Sequence, residues 1–85
     1  MGRRRKKIKV VLKPLSQAWG YAYDTDREIE LDERMDDSTM LSTAAHEVLH
    51  IVFPFLTENA VDEAGIEIGD VLFRLGFRRI EKDEE

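Results

Sequence analysis

The sequence predicts an α+β fold, with a small three-stranded sheet, expected to be antiparallel, followed by two antiparallel helices within a single domain over residues 8–77. Three observations carry this. The first third of the chain holds short runs in which apolar and charged residues alternate. Two longer stretches follow with apolar residues at helical spacing, each opened by capping residues and closed near Pro54 or Gly76. The chain has 85 residues and no cysteine, enough for one modest core that no disulfide can brace.

Residues 1–7 form a basic arm, Arg3-Arg4-Arg5-Lys6-Lys7, expected to be disordered. In Ile8–Lys13 the apolar Ile8, Val10 and Leu12 alternate with Lys9, Val11 and Lys13, which suits a strand with one buried face, and Pro14 ends it. Trp19–Tyr23 and Arg27–Asp32 read as two strands joined at Asp24-Thr25-Asp26, where aspartates and threonine favour a hairpin turn. In the second of these, Ile29 and Leu31 should point inward and Glu28, Glu30 and Asp32 outward.

Asp36, Asp37 and Ser38 can cap the first helix and complement its dipole. It should run to about Phe53, because the residue before Pro54 is pushed out of helical geometry. After a short loop, Thr57 caps a second helix over about Glu58–Leu75, with Val61, Ala64, Ile68, Val71, Leu72 and Leu75 on one face. Gly76 suits a C′ position, with Phe77 expected to pack back. Gly65 and Gly69 share a face and would allow close approach of another helix, with Ala44 and Ala45 expected opposite. The charged tail from 78 to 85 should fray.

Charge is uneven. The first thirteen residues carry seven Lys or Arg and no acid, whereas the rest carries six bases against eighteen acids, a net of −12. A basic arm admits contact with nucleic acid, but the acidic body would repel a phosphate backbone, so the arm reads first as a solubilising flank on an edge strand. The apolar runs are too short for a membrane span, and Ile8–Lys13 is too short and too charged for the core of a signal peptide. A cytoplasmic protein with no membrane partner is expected.

The chain's only two histidines fall in His46-Glu47-Val48-Leu49-His50. Histidines four apart lie one turn above each other on a helix, so both imidazoles can reach one Zn²⁺. Glu47, rotated about 100° from His46, would stand beside the open position of the metal and could take a proton from water there. From Met40 to Phe53 there is no Lys or Arg, although 36% of the chain is charged. Ser42, Thr43, His46, Glu47 and His50 form a polar stripe on an otherwise apolar helix, as a site set into a core would. A catalytic zinc usually has three protein ligands. With both histidines used and no cysteine, the third must be a carboxylate. A short loop brings the start of the second helix beside the end of the first, which favours Glu58, with Asp62 and Glu63 as alternatives. Tyr21 or Tyr23 could donate to an oxyanion, although sheet packing is the plainer role for each.

These residues resemble the small HExxH metallopeptidase-like proteins of phage and prophage genomes, often termed SprT-like, and more distantly the ImmA/IrrE zinc peptidases. The resemblance lies in Gly20-Tyr21-Ala22-Tyr23-Asp24 with Arg27-Glu28-Ile29, in Ala45–His50, in Phe53-Pro54, and in Thr57-Glu58 leading to Leu75-Gly76-Phe77-Arg78. It implies a minimal zincin-like fold in a bacterial or phage-infected cell. His46, His50 and a glutamate from the following helix, Glu58, would be ligands, and Glu47 the catalytic base acting on peptide or protein substrates. The SprT pattern uses a third histidine, which this chain lacks, and Phe53 and Leu56 stand where metzincins need Gly and His. Beside the peptidase stands a second expectation, a non-catalytic zinc-binding module that docks on a host or phage protein.

Overall fold

The computed structural model describes residues 6–80. The basic arm, apart from Lys6 and Lys7, and residues 81–85 of the tail lie outside them. Strands β1 (Lys9–Lys13), β2 (Gly20–Tyr23) and β3 (Glu28–Asp32) precede helices α1 (Asp37–Val52) and α2 (Glu58–Arg74).

The sheet is mixed, in the order β1-β3-β2: β2 pairs antiparallel with β3, but β1 pairs parallel with it. The expected all-antiparallel sheet is therefore corrected. The cause lies in the first connection. Pro14 leaves the strand, and the next amide, that of Leu15, donates to Asp32 Oδ2 at 3.0 Å, tying the loop to the end of β3. Six residues from Pro14 to Trp19 then span two strand spacings, about 10 Å, and β3 fills the gap. Asp32 is accordingly not outward but 1% exposed. Its carboxylate also accepts from the Arg34 amide at 2.9 Å and from the guanidinium at 2.6 and 2.8 Å, while Arg34 Nη2 donates to Leu15 O at 2.7 Å. This clamp holds the Asp32 carboxyl well below the ordinary carboxylate range.

The hairpin turns at Asp24–Arg27, closed by Arg27 N–H donating to Asp24 O at 3.2 Å, with Arg27 in the left-handed region at φ 52°. Alternation then aims Ile29 and Leu31 at α1. They form the core with Met35, Met40 and Ile51, and Ile8, Ala22, Ala44 and Val48 pack round it. Fully burying a side chain such as Ile29 is worth about 1.5–3 kcal/mol.

Both helices keep the expected bounds to within a residue. Asp36 caps α1 by accepting from the Thr39 amide at 2.9 Å, and Thr57 caps α2 through the Ala60 amide at 3.1 Å. At the far end of α2, Gly76 at φ 95° and bonds from the Gly76 and Phe77 amides to Phe73 O and Leu72 O complete a Schellman motif. Phe77 itself stays exposed, and Arg78 instead covers the Phe73 ring, 3.7 Å from its centroid.

Among the described residues, α1 packs on β2 and β3, α2 packs on α1 alone, and neither helix covers β1. Two expectations of burial fail for this reason. Val10 and Leu12 point to the helix side of the sheet yet are exposed at its edge, and on α2 Val61 is buried while Ile68, Val71 and Leu75 are exposed. No helix among the described residues is long and apolar enough to cross a membrane.

Candidate metal centre

Thr43 and Glu47 of the α1 polar stripe lie under β2, while on its Ser42–His46 side the stripe faces α2. Opposite it lie Gly65 and Gly69, but the residues they meet are Ser42 and His46 rather than Ala44 and Ala45. A Cβ added at Gly69 would come within 2.6 Å of Ser42 Cα, and one at Gly65 within 3.2 Å of the His46 Cα. Ala44 instead packs toward the sheet-side core. Because the α2 surface is bare of side chains there, the two helices approach closely enough for the first residue of α2, Glu58, to reach the histidines. A short turn, closed by Leu56 N–H donating to Phe53 O at 3.0 Å, starts α2 beside the end of α1.

Three groups converge at this point. His46 Nε2 and His50 Nε2 are 3.2 Å apart, and the Glu58 oxygens lie 3.1 Å from each. The edge of a tetrahedron with ligands at 2.0–2.1 Å from its centre is about 3.3 Å, so the donor set is spaced as zinc ligands are. Hydrogen bonding alone does not fill this triangle. With neutral rings and an ionised carboxylate, at most two protons lie on the facing nitrogens. If both are present they point at Glu58 and leave two N–H groups confronting each other; if one is absent, a nitrogen lone pair faces a carboxylate or its neighbour without a proton. A cation between the three satisfies every contact. His46, His50 and Glu58 are also the one group of three acidic or histidine residues, among those described, with the spacing to hold a metal ion.

The other candidates fall elsewhere. Asp62, one turn beyond Glu58, has Oδ1 3.6 Å from His46 Nδ1, behind the ring and away from the triangle. That is longer than a hydrogen bond, and it leaves a carboxylate on the Nδ1 side of the ring, opposite the nitrogen that faces Glu58 and His50. Glu63 is exposed and outside the group. Tyr21 and Tyr23 lie opposite Glu30 and Glu28 on the strand positions that alternate with Gly20 and Ala22, and the Tyr23 hydroxyl donates to Glu30 at 3.2 Å. Since Ala22 packs on the α1 side, alternation turns the tyrosine side chains toward the opposite face, while Tyr21 still lines the cleft at the β2 edge beside His46 and Glu47.

Glu47 is 8% exposed and lies directly beneath β2. Glycine at residue 20 gives the strand room to pass over it: a Cβ there would come within 3.1 Å of Glu47 Cγ and 3.0 Å of Thr43 Cγ2, and those side chains would have to give way. Burial raises the Glu47 carboxyl above its ordinary 4.5, His46 and His50 oppose the rise, and Glu58 adds to it. No family model, curated protein or solved structure matches this chain.

The site opens into a cleft with two arms that share Gly20, His46, Glu47 and Glu58. One, of about 320 Å³, runs to Trp19 and Ile66; the other, of about 440 Å³, runs to Asp24 and Pro54. Gly20, Trp19 and Ile66 were not legible as site residues. The only signal was a tryptophan followed by a glycine at the head of a strand, which reads equally well as sheet packing.

Proposed function

We propose that the chain is a zinc-dependent peptidase of the small HExxH kind, with His46, His50 and Glu58 as metal ligands and Glu47 as general base. The observation that carries the reading is the triangle of donor atoms at 3.1–3.2 Å beside a buried glutamate in an open cleft. Zinc bound at such a site supplies a Lewis acid that polarises a carbonyl and makes water more acidic. Glu47 takes a proton from the attacking water and returns it to the leaving amine, and its burial brings the carboxyl nearer the pH at which both transfers are easy. Asp62 steadies the His46 ring from behind.

The substrate strand pairs with β2, the open edge on this side of the sheet, since β3 is the central strand. Asp32 N–H donates to Trp19 O at 2.8 Å, so the antiparallel alternation turns the backbone groups of Trp19, Tyr21 and Tyr23 toward β3 and those of Gly20 and Ala22 toward the open edge. An extended peptide adding there would lie over Glu47.

The second reading, a zinc-holding interaction module, draws support from the openness of the centre, where the Glu58 side chain is 70% exposed. One experiment tests both. Purified wild type should hold about one zinc per chain by elemental analysis, and His46→Ala should hold none. Wild type should cleave unstructured protein, and Glu47→Gln should keep the zinc and lose cleavage. Zinc without cleavage in the wild type would leave the module; folded, unchelated protein without zinc would end the metallopeptidase reading.

A further inference from the structure

The two arms of the cleft differ in chemistry. The arm beyond Gly20 is lined by Trp19, 54% exposed, and Ile66, 55% exposed, together with Ala18, Ser42, Thr43 and Asp62. Ile66 stands one turn past Asp62 on α2, on the side of that helix away from its exposed Ile68–Val71–Leu75 row, so it is not part of that surface. Large apolar groups left in a concavity that opens onto reactive groups are the usual lining of a ligand site. The carboxylates of Asp24, Glu47, Glu58 and Asp62 line the cleft, and no Lys or Arg does among the described residues. An acidic side chain would meet like charge in either arm.

We infer that the Trp19–Ile66 arm is the specificity pocket of this site, taking a bulky apolar side chain adjacent to the bond that lies over Glu47 and rejecting an acidic one. The inference rests on the peptidase reading and adds its substrate class: extended peptides with an aromatic or branched aliphatic residue next to the scissile bond. The backbone of such a peptide pairs with Gly20 and Ala22, and a residue opposite Gly20 projects toward the arm because no side chain of β2 intervenes.

Trp19 is the only tryptophan in the chain, so its fluorescence comes from this end of the cleft, and the Ile66 variants separate the arm from the neighbouring concavity at Asp32 and Arg34. The zinc-loaded, full-length Glu47→Gln chain, which binds without cutting, is titrated with blocked hexapeptides of Gly and Ser carrying one central Phe, Ser or Asp. The Phe peptide should shift the emission to the blue and saturate, the Ser peptide should bind at least about tenfold more weakly, and the Asp peptide weaker still. Ile66→Ser should weaken the Phe peptide about tenfold with zinc content unchanged. Ile66→Phe, which fills the arm, should reverse the preference toward small residues. Ile66 is half-exposed, so neither change should disturb folding. Equal affinity for the Phe and Ser peptides, or variants that bind like the parent, would overturn the pocket. Loss of zinc from the wild type would count against the peptidase reading instead, and the two failures are read by different measurements.

Discussion

Replacing Gly69 with alanine should weaken the fold while leaving the candidate metal centre intact. The new Cβ would lie 2.6 Å from Ser42 Cα and 2.7 Å from Ser42 N and Cβ. Carbon atoms settle at about 3.5–4.0 Å, so α2 must move off α1 by roughly 1 Å at that point. Gly69 is about 18 Å along the helix from Thr57, and Glu58 only about 1.5 Å. If α2 pivots at its N-terminal connection, Glu58 shifts by roughly 0.1 Å, too little to disturb a ligand. Overpacking against backbone costs up to about 3 kcal/mol. The better helix propensity of alanine returns about 1 kcal/mol, for a net loss of about 2 kcal/mol. In a domain of this size that is about 8–16 °C of Tm. Circular dichroism melts in chelator read the first quantity, and competition against a chromophoric chelator reads zinc affinity, which should stay within about threefold of wild type. An unchanged or higher Tm would show that the helices are not in contact here. A collapse of zinc affinity in a folded variant would show that α2 does not pivot at Thr57.

The other predictions follow from the same geometry. Zinc at about 100 times its Kd should add about 2.7 kcal/mol, or roughly 11–22 °C of Tm, to the wild type, and Glu58→Ala should lose most of that rise in the same melts. Asp62→Asn should lower zinc affinity by about 10–100-fold without changing the metal stoichiometry; an unchanged Kd in the competition assay would remove Asp62 from the site. Asp32, depressed below its ordinary 3.8 chiefly by hydrogen bonding to Arg34, favours the folded state at any pH above that ordinary value and loses the contribution as pH falls below it. Metal-free wild type should therefore lose Tm more steeply between pH 5 and pH 2 than Asp32→Asn does, and parallel pH profiles would contradict the clamp.

The helices were legible because their ends are written locally: Asp36 and Thr57 as caps, Pro54 and Gly76 as stops, each within three or four residues of what it satisfies. The pattern His46-Glu47-x-x-His50 was legible for the same reason. Strand order was not, because nothing in Pro14–Trp19 says whether β1 meets its neighbour or leaves room for a third strand. That depends on Asp32, seventeen residues from the amide it binds. The apolar row of α2 looked like core because periodicity reports which residues share a face, not how much of that face a partner reaches. Glu58 could be favoured over Asp62 and Glu63 by counting from the loop. The position of Asp62 behind His46 needed the rotation of α2 about its own axis, which the bare stretch at Gly65 and Gly69 sets.

The isolation of α2 has a consequence for how the molecule comes apart. The cluster of Ile29, Leu31, Met35, Met40 and Ile51 lies between the sheet and α1, and α2 contributes nothing to it. Detaching α2 exposes Val61 and the stripe on α1 but leaves that cluster sealed, so opening of α2 can occur well below the free energy of global unfolding. The same opening carries Glu58 away while His46 and His50 stay on the remaining body. Amide exchange along α2 would then measure how firmly Glu58 is held against the two histidines, and any ion that bridges the helices would slow that exchange by the share of its binding energy that Glu58 supplies.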